Sequence, residues 1–282
     1  MRHTIQLLAL VIAVSTVPVG RANADNVLSA EESSCQLRTS RIVLSSFSRR
    51  YAKCLLKCTQ HADSRAAAAQ NCTLTGACAF GIGNPTCRCL DRAILQASDG
   101  EVKACGDCPE CYTSGGADPN PSCSNDADAK TSAIGSWTES LFFSGSPAVY
   151  CDDSASVDAL TVPEARCQHS TAKALAAFAR EKAQCYTTCR TLERGGGTPA
   201  GSCDAPVLSN PGGNIDAKTC VQRAEARAAL RIDKQCGLSG ENRPECYNGT
   251  SGNGWVTIEE GFIDGQDASY YCASPSPAFL DW

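Results

Sequence analysis

Apolar residues are spread unevenly along this chain. A largely apolar run from Ile5 to Val17 follows Arg2 and His3 and stops at Pro18 and Gly20. Ala22-Asn23-Ala24 then sets small residues where a signal peptidase cuts, so residues 1–24 read as a secretory leader. The run is shorter than the roughly 20 residues that cross a bilayer. No later stretch approaches that length, so no membrane span is expected in the mature chain. Beyond the leader the pattern is that of helices. Ala172 to Ala183 is rich in Ala, Lys, Glu and Arg, all good helix formers.

A long helix is expected from Pro163, suited to a first turn, to Arg194, before Gly195-Gly196-Gly197. A second should run from Asp216, its N-cap, to Gln235, with Gly237 just beyond. The first half of the chain shows the same succession. One helix runs from Glu31 to Gln70, with a break near His61–Ser64, and another from Cys89 to Ala104, interrupted at Asp99-Gly100. Each half then closes in a less regular tail. Trp255 to Ile258 and Ala268 to Tyr271 are predicted as short strands of a β-hairpin about Asp264-Gly265.

The cysteines turn this succession into a repeat. The chain has 20 of them, all after the leader. Cys35, Cys54, Cys58, Cys72, Cys89, Cys105, Cys111 and Cys151 are spaced much like Cys167, Cys185, Cys189, Cys203, Cys220, Cys236, Cys246 and Cys272. Other residues recur with them: Arg92 with Arg223, Pro109-Glu110-Cys111-Tyr112 with Pro244-Glu245-Cys246-Tyr247, and Tyr150-Cys151 with Tyr271-Cys272. The expected organisation is therefore a leader at 1–24, a twelve-cysteine repeat at 25–160 and an eight-cysteine repeat at 161–282. The expected fold is mainly α and disulfide-rich. Each of its two tandem repeats is an antiparallel hairpin of long helices plus an irregular tail.

Helix geometry narrows the pairing. Cys167 to Cys185 is five turns, about 27 Å, and Cys220 to Cys236 about 24 Å. Laid antiparallel, the two helices bring their cysteines together at both ends. That gives Cys167–Cys236 and Cys185–Cys220, with Cys189–Cys203 and Cys246–Cys272 closing the set. The first half would follow with Cys35–Cys105, Cys54–Cys89, Cys58–Cys72 and Cys111–Cys151. Its four extra cysteines would add Cys78–Cys87 and Cys108–Cys123.

Composition explains why such staples are needed. Aromatic residues are 6% of the chain. Ala-rich helices bury little area, at roughly 25 cal/mol per Å². A bridge closing a loop of about 70 residues contributes on the order of 4 kcal/mol in the chain-entropy picture.

Charge and candidate chemistry exclude more than they identify. The 25 basic residues fall to 23 without Arg2 and Arg21, against 30 acidic ones, a net charge of about −7. No basic stripe of the nucleic-acid type stands out, and the helical charges read as a solvated face. Cys105-Gly-Asp-Cys108-Pro-Glu-Cys111 has the spacing of a zinc or iron–sulfur site, but an oxidising compartment favours disulfides. His61 and His169 are the mature chain's only histidines, and no nucleophile–base motif accompanies either. Arg92 and Arg223 are expected to bond a carboxylate or carbonyl across the hairpin. Asn71-Cys72-Thr73 and Asn248-Gly249-Thr250 match the N-glycosylation acceptor. Plant lipid-transfer proteins carry an adjacent Cys-Cys pair, and none occurs here.

The expectation is a secreted protein, extracellular or periplasmic, that is not an enzyme, uses no cofactor and has a binding or structural role. Its contacts to a protein or glycan partner are expected near Trp137 and Trp255. The alternative is a small-ligand or metal-binding protein that uses an interhelix groove or the Cys105–Cys111 cluster. Since bridges replace core in this reading, full reduction should abolish much of the helical circular dichroism. A spectrum unchanged in strong reductant would contradict it.

Overall fold

The computed structural model describes residues 30–63, 72–79, 83–105, 108–109, 112, 123–144, 148–150, 161–197, 202–203 and 215–271. It is mainly helical, with no strand among the described residues. Helix α1 (Ala30–Ser40) runs through a π-helical turn (Arg41–Phe47) into α2 (Ser48–Asp63). Helices α3 (Leu74–Ala79), α4 (Pro85–Ala104) and α5 (Ser124–Glu139) follow, α5 ending in a second π-helical turn (Ser140–Ser144). Then come α6 (Val162–Arg194), α7 (Ile215–Cys236), a single 3-10 turn (Glu245–Tyr247) and α8 (Gly252–Tyr271). No described helix is long and apolar enough to cross a membrane.

Local chemistry sets the helix ends. The Asn84 side chain accepts from Thr86 N–H at 2.8 Å, and Pro85 opens α4. Thr161 and Glu164 cap α6 reciprocally: the Glu164 carboxylate accepts from Thr161 N–H at 2.7 Å, and Thr161 Oγ1 accepts from Glu164 N–H at 3.4 Å. Gly196 and Gly237 take φ of 70° and 80° just past the ends of α6 and α7.

Two disulfides hold α6 against α7, Cys167–Cys236 at one end and Cys185–Cys220 at the other, so the two helices run in opposite directions. Cys35–Cys105 and Cys54–Cys89 do the same for α1–α2 against α4. Cys58–Cys72, Cys78–Cys87, Cys108–Cys123 and Cys189–Cys203 are also bonded. All eight are pairs expected from the spacing. The other two expected pairs, Cys111–Cys151 and Cys246–Cys272, include residues outside the described ones.

The first π-helical turn has a simple origin. Between Cys167 and Cys185 lie 18 residue steps, five α-helical turns, and α6 is unbroken there. Between Cys35 and Cys54 lie 19. One extra residue in an α-helix rotates everything beyond it by about 100°, which would carry Cys54 off the face that meets α4. A π-helical turn holds one more residue and restores the phase.

Three expectations are corrected. The segments predicted as a β-hairpin form one helix, α8. Its Trp255, Glu259, Ile263 and Tyr270 recur at helical intervals and are buried, and Asp264 of the supposed turn is held by Lys182 and Tyr186 of α6. The first-half tail is also helical, with Ala127, Thr131, Ile134 and Thr138 of α5 buried at the same intervals. Helix α4 runs through Asp99-Gly100 without a break. A Cβ at Gly100 would lie 3.3 Å from Ile42 Cγ2, so this glycine permits close packing of α4 on the π-helical turn.

One core takes in both halves of the chain, with Phe47, Leu55 and Phe142 in the same cluster as Phe178, Tyr186 and Trp255. The chain has 7 tyrosines, and all are buried. The hydroxyls of two cross between halves to backbone carbonyls: Tyr112 donates to Tyr270 O and Tyr247 to Val149 O, each at 2.9 Å. Tyr150 Oη lies 3.1 Å from His169 Nδ1, and Tyr271 Oη 2.5 Å from Ser40 Oγ. Scarce aromatics thus form a concentrated centre, where the sequence suggested a thin core.

Glu259 sits in that centre. Trp137 stacks on Phe262 at 4.3 Å and donates its indole N–H to Glu259 Oε2 at 3.2 Å. Burial pushes the Glu259 carboxyl up to about 7. The folded state therefore holds this proton more tightly than the unfolded chain does. Above pH 4.5 the unfolded chain ionises first, and stability falls as pH rises through 7, by on the order of 3 kcal/mol.

Glu259→Gln should raise the melting temperature near pH 8 and leave it little changed near pH 4. Thermal melts of both proteins at the two pH values check this. Separately, deleting the exposed Ser46 should give a folded protein with the same disulfides. Its Cys35-to-Cys54 spacing would equal that of Cys167 to Cys185, and non-reducing peptide mapping reads the result.

Candidate anion-binding groove

Helices α2 and α4 lie side by side, tied by Cys54–Cys89. On their outer face they enclose a groove of about 440 Å³. Arg50, Lys53 and Lys57 rise along the α2 wall at i, i+3 and i+7. Arg88, Arg92 and Gln96 rise along the α4 wall at i, i+4 and i+8. Both spacings put three side chains in one row on a helix face. The disulfide, Pro85 and Ala93 complete the lining, in which none of the described residues is acidic. Arg50 Nη1 donates to Gln96 Oε1 at 2.7 Å across the groove.

The five cationic side chains are exposed. Like charges gathered in a concave site sum to a local positive potential even on an acidic protein, and they attract anions. Arginine adds a planar fork that matches carboxylate, phosphate or sulfate oxygens. The described lining offers guanidinium, ammonium and amide donors, an arrangement suited to binding anions.

The corresponding face of α6 and α7 is different. Four residues before Cys54 stands Arg50, and four before Cys185 stands Glu181; seven after Cys89 stands Gln96, and seven after Cys220 stands Arg227. A contact joins these two positions as well, with other charges. Arg227 donates to Glu181 Oε2 at 2.7 Å, and Arg180 lies 3.6 Å from Glu181 Oε1. The position of Tyr51, which donates to Glu139 at 2.5 Å, is taken by Lys182. Lys182 is fully buried between Glu260 and Asp264, 2.6 Å from each. Glu225 beside them is pushed up to about 7, first by burial and then by its hydrogen bond to Glu260. These carboxylates serve to pack a buried ammonium between three helices.

The residues singled out in the sequence fare variously. Trp255 is completely buried against Tyr247, so it offers no partner contact. Trp137 is half-buried, stacked on Phe262 and bonded to Glu259. Within the Cys105–Cys111 cluster, Cys105 bonds Cys35 and Cys108 bonds Cys123, which leaves neither as a thiolate for a metal; Cys111 lies outside the described residues. The sulfurs of Cys35, Cys105 and Cys123 lie near one another, but all are in disulfides. His169 is not merely solvated, since Tyr150 bonds it and packs against its ring.

Arg92 stands on the groove wall, and Arg223 Nε donates to Thr219 O of its own helix at 3.1 Å, so the expected shared tie across the helices is corrected for Arg223. Glu245 is exposed, and Glu110 lies outside the described residues. Asn248 is exposed at the end of the 3-10 turn, and Asn71 is outside the described residues. The groove itself was missed, although the spacing of Arg50, Lys53 and Lys57 carried half of it.

No protein-family model, curated protein or solved structure matches the chain.

Proposed function

We propose that this is a secreted, non-enzymatic binding protein made of two copies of one stapled helical hairpin, and that its first copy binds an anionic ligand in the groove between α2 and α4. The observation that carries the reading is the set of five exposed cations around a groove with no acidic residue among the described ones that line it, on a chain of net charge −5. The apolar start of the sequence and the disulfides support export to an oxidising compartment.

Duplication is supported by more than cysteine order. Corresponding bridges enclose almost equal separations, 70 and 69, 35 and 35, 14 and 14 residues. Their Cα–Cα distances also correspond: 4.6 and 4.7 Å, 5.8 and 5.9 Å, 5.5 and 5.7 Å. In this reading the boundary near residue 160 divides two units whose closing segments cross onto each other. The Tyr112 bond to Tyr270 and the Tyr247 bond to Val149 are the two halves of that exchange.

Duplication gives a reason for the two faces to differ in charge. Glu181 at the position of Arg50 pairs with a neighbouring arginine in the second copy, while the first copy keeps a set with no carboxylate among the described lining residues. The test is calorimetric titration with inorganic pyrophosphate. The folded protein should bind it with salt-sensitive affinity. Arg50→Glu with Arg92→Glu should weaken binding by about a hundredfold, roughly tenfold for each cation removed, without lowering the melting temperature. Equal affinity in the variant would reject the groove as an anion site.

A further inference from the structure

We infer that the ligand of this groove is a linear sulfated polysaccharide, whose chain lies along the two rows of cations. This rests on the anion-binding reading above and adds the shape and class of the ligand. Arg50 to Lys57 covers seven residue steps, about 10 Å of helix rise, and Arg88 to Gln96 covers eight, about 12 Å. The charges are therefore drawn out along a trough and do not converge on one point. A compact anion touching Arg50 cannot also reach Lys57, two turns away. A polymer with an anionic group on successive units meets both walls along the full length.

The lining selects among polyanions. Single-stranded nucleic acid is held by aromatic side chains that stack on bases. Among the described residues that line this groove none is aromatic; apart from the cations they are Cys54, Cys89, Pro85, Ala93 and Gln96. A membrane surface is broad and is gripped by basic residues with apolar side chains inserted beside them. Here the cations face each other across a trough with no large apolar side chain among its described lining residues. Sulfate groups on a sugar chain need neither stacking nor insertion, and arginine and lysine rows suffice to hold them. The Arg50–Gln96 bond spans the groove, so an arriving sulfate can take the Arg50 fork, leaving the Gln96 amide for a sugar hydroxyl.

The second copy supplies an internal control. The Glu181–Arg227 pair occupies the place of Arg50 and Gln96, so that face should not bind the polymer.

The experiment titrates the full disulfide-bonded protein with heparin di-, tetra-, hexa- and octasaccharides, alongside inorganic pyrophosphate. Affinity should rise with chain length by about tenfold or more, then level off once the trough is filled. It should fall steeply with added salt. Arg50→Glu with Arg92→Glu should lose the length dependence, while Arg223→Glu with Arg227→Glu should keep it.

Disaccharide and pyrophosphate binding as tight as octasaccharide binding would overturn the linear-chain inference and leave the anion reading standing. No binding of any probe would overturn both. Tighter binding to phosphatidylserine vesicles or to single-stranded DNA than to the octasaccharide would replace the polysaccharide with that class. Undiminished binding by Arg50→Glu with Arg92→Glu would remove the groove from the account.

Discussion

Two crosslinks at opposite ends of a helix pair constrain this molecule more than any other interaction. A single bridge would leave one helix free to swing about the other. The pair Cys167–Cys236 and Cys185–Cys220 fixes direction, register and rotation together, and Cys35–Cys105 with Cys54–Cys89 repeats the arrangement. The remaining local features conform to it. The π-helical turn at Arg41–Phe47 keeps Cys54 in phase. The glycine at position 100 lets α4 approach that turn. The groove exists because Cys54–Cys89 holds two basic helix faces beside each other.

Bridges fix the helix pairs, but polar contacts of large buried and half-buried side chains join the helices to each other. Lys182 reaches carboxylates of α8, Trp137 reaches Glu259, and Arg194 reaches back to Ser33 and Gln36 of α1. A buried polar group without a partner is costly, so each of these bonds favours one arrangement of the helices over its near alternatives. An Ala-rich surface alone would slide. Specificity in this core comes from a few directional groups, while the disulfides supply most of the constraint on the unfolded chain.

Part of this was legible in the sequence. The bridges were readable because 18 residue steps are five whole helical turns, and helices of about 27 and 24 Å laid antiparallel bring their cysteines together at both ends. The helix in place of a hairpin was not read, because Asp264-Gly265 is a strong local turn signal. Its defeat depends on Lys182 and Tyr186, some eighty residues away, receiving the Asp264 carboxylate. Helix α5 was obscured by its polar buried face, in which Lys130 and Thr131 occupy positions that hydrophobic periodicity assigns to apolar residues. The groove was half legible. Each basic row has helical spacing, but nothing local to residues 50–57 or 88–96 says that the two rows share a cleft. Charge counts also pointed away from it, since the whole chain is acidic.

The burial of every tyrosine gives the molecule a built-in optical reporter. Burial drives the phenols of Tyr51, Tyr112, Tyr247 and Tyr270 to ionise at higher pH than in water. Their ultraviolet phenolate band therefore stays dark in alkali while the fold is closed. Nitrating and iodinating reagents likewise find no accessible ring among the described tyrosines. Colour or modification at these rings would mark the moment when the whole assembly opens, and would do so from several elements at once.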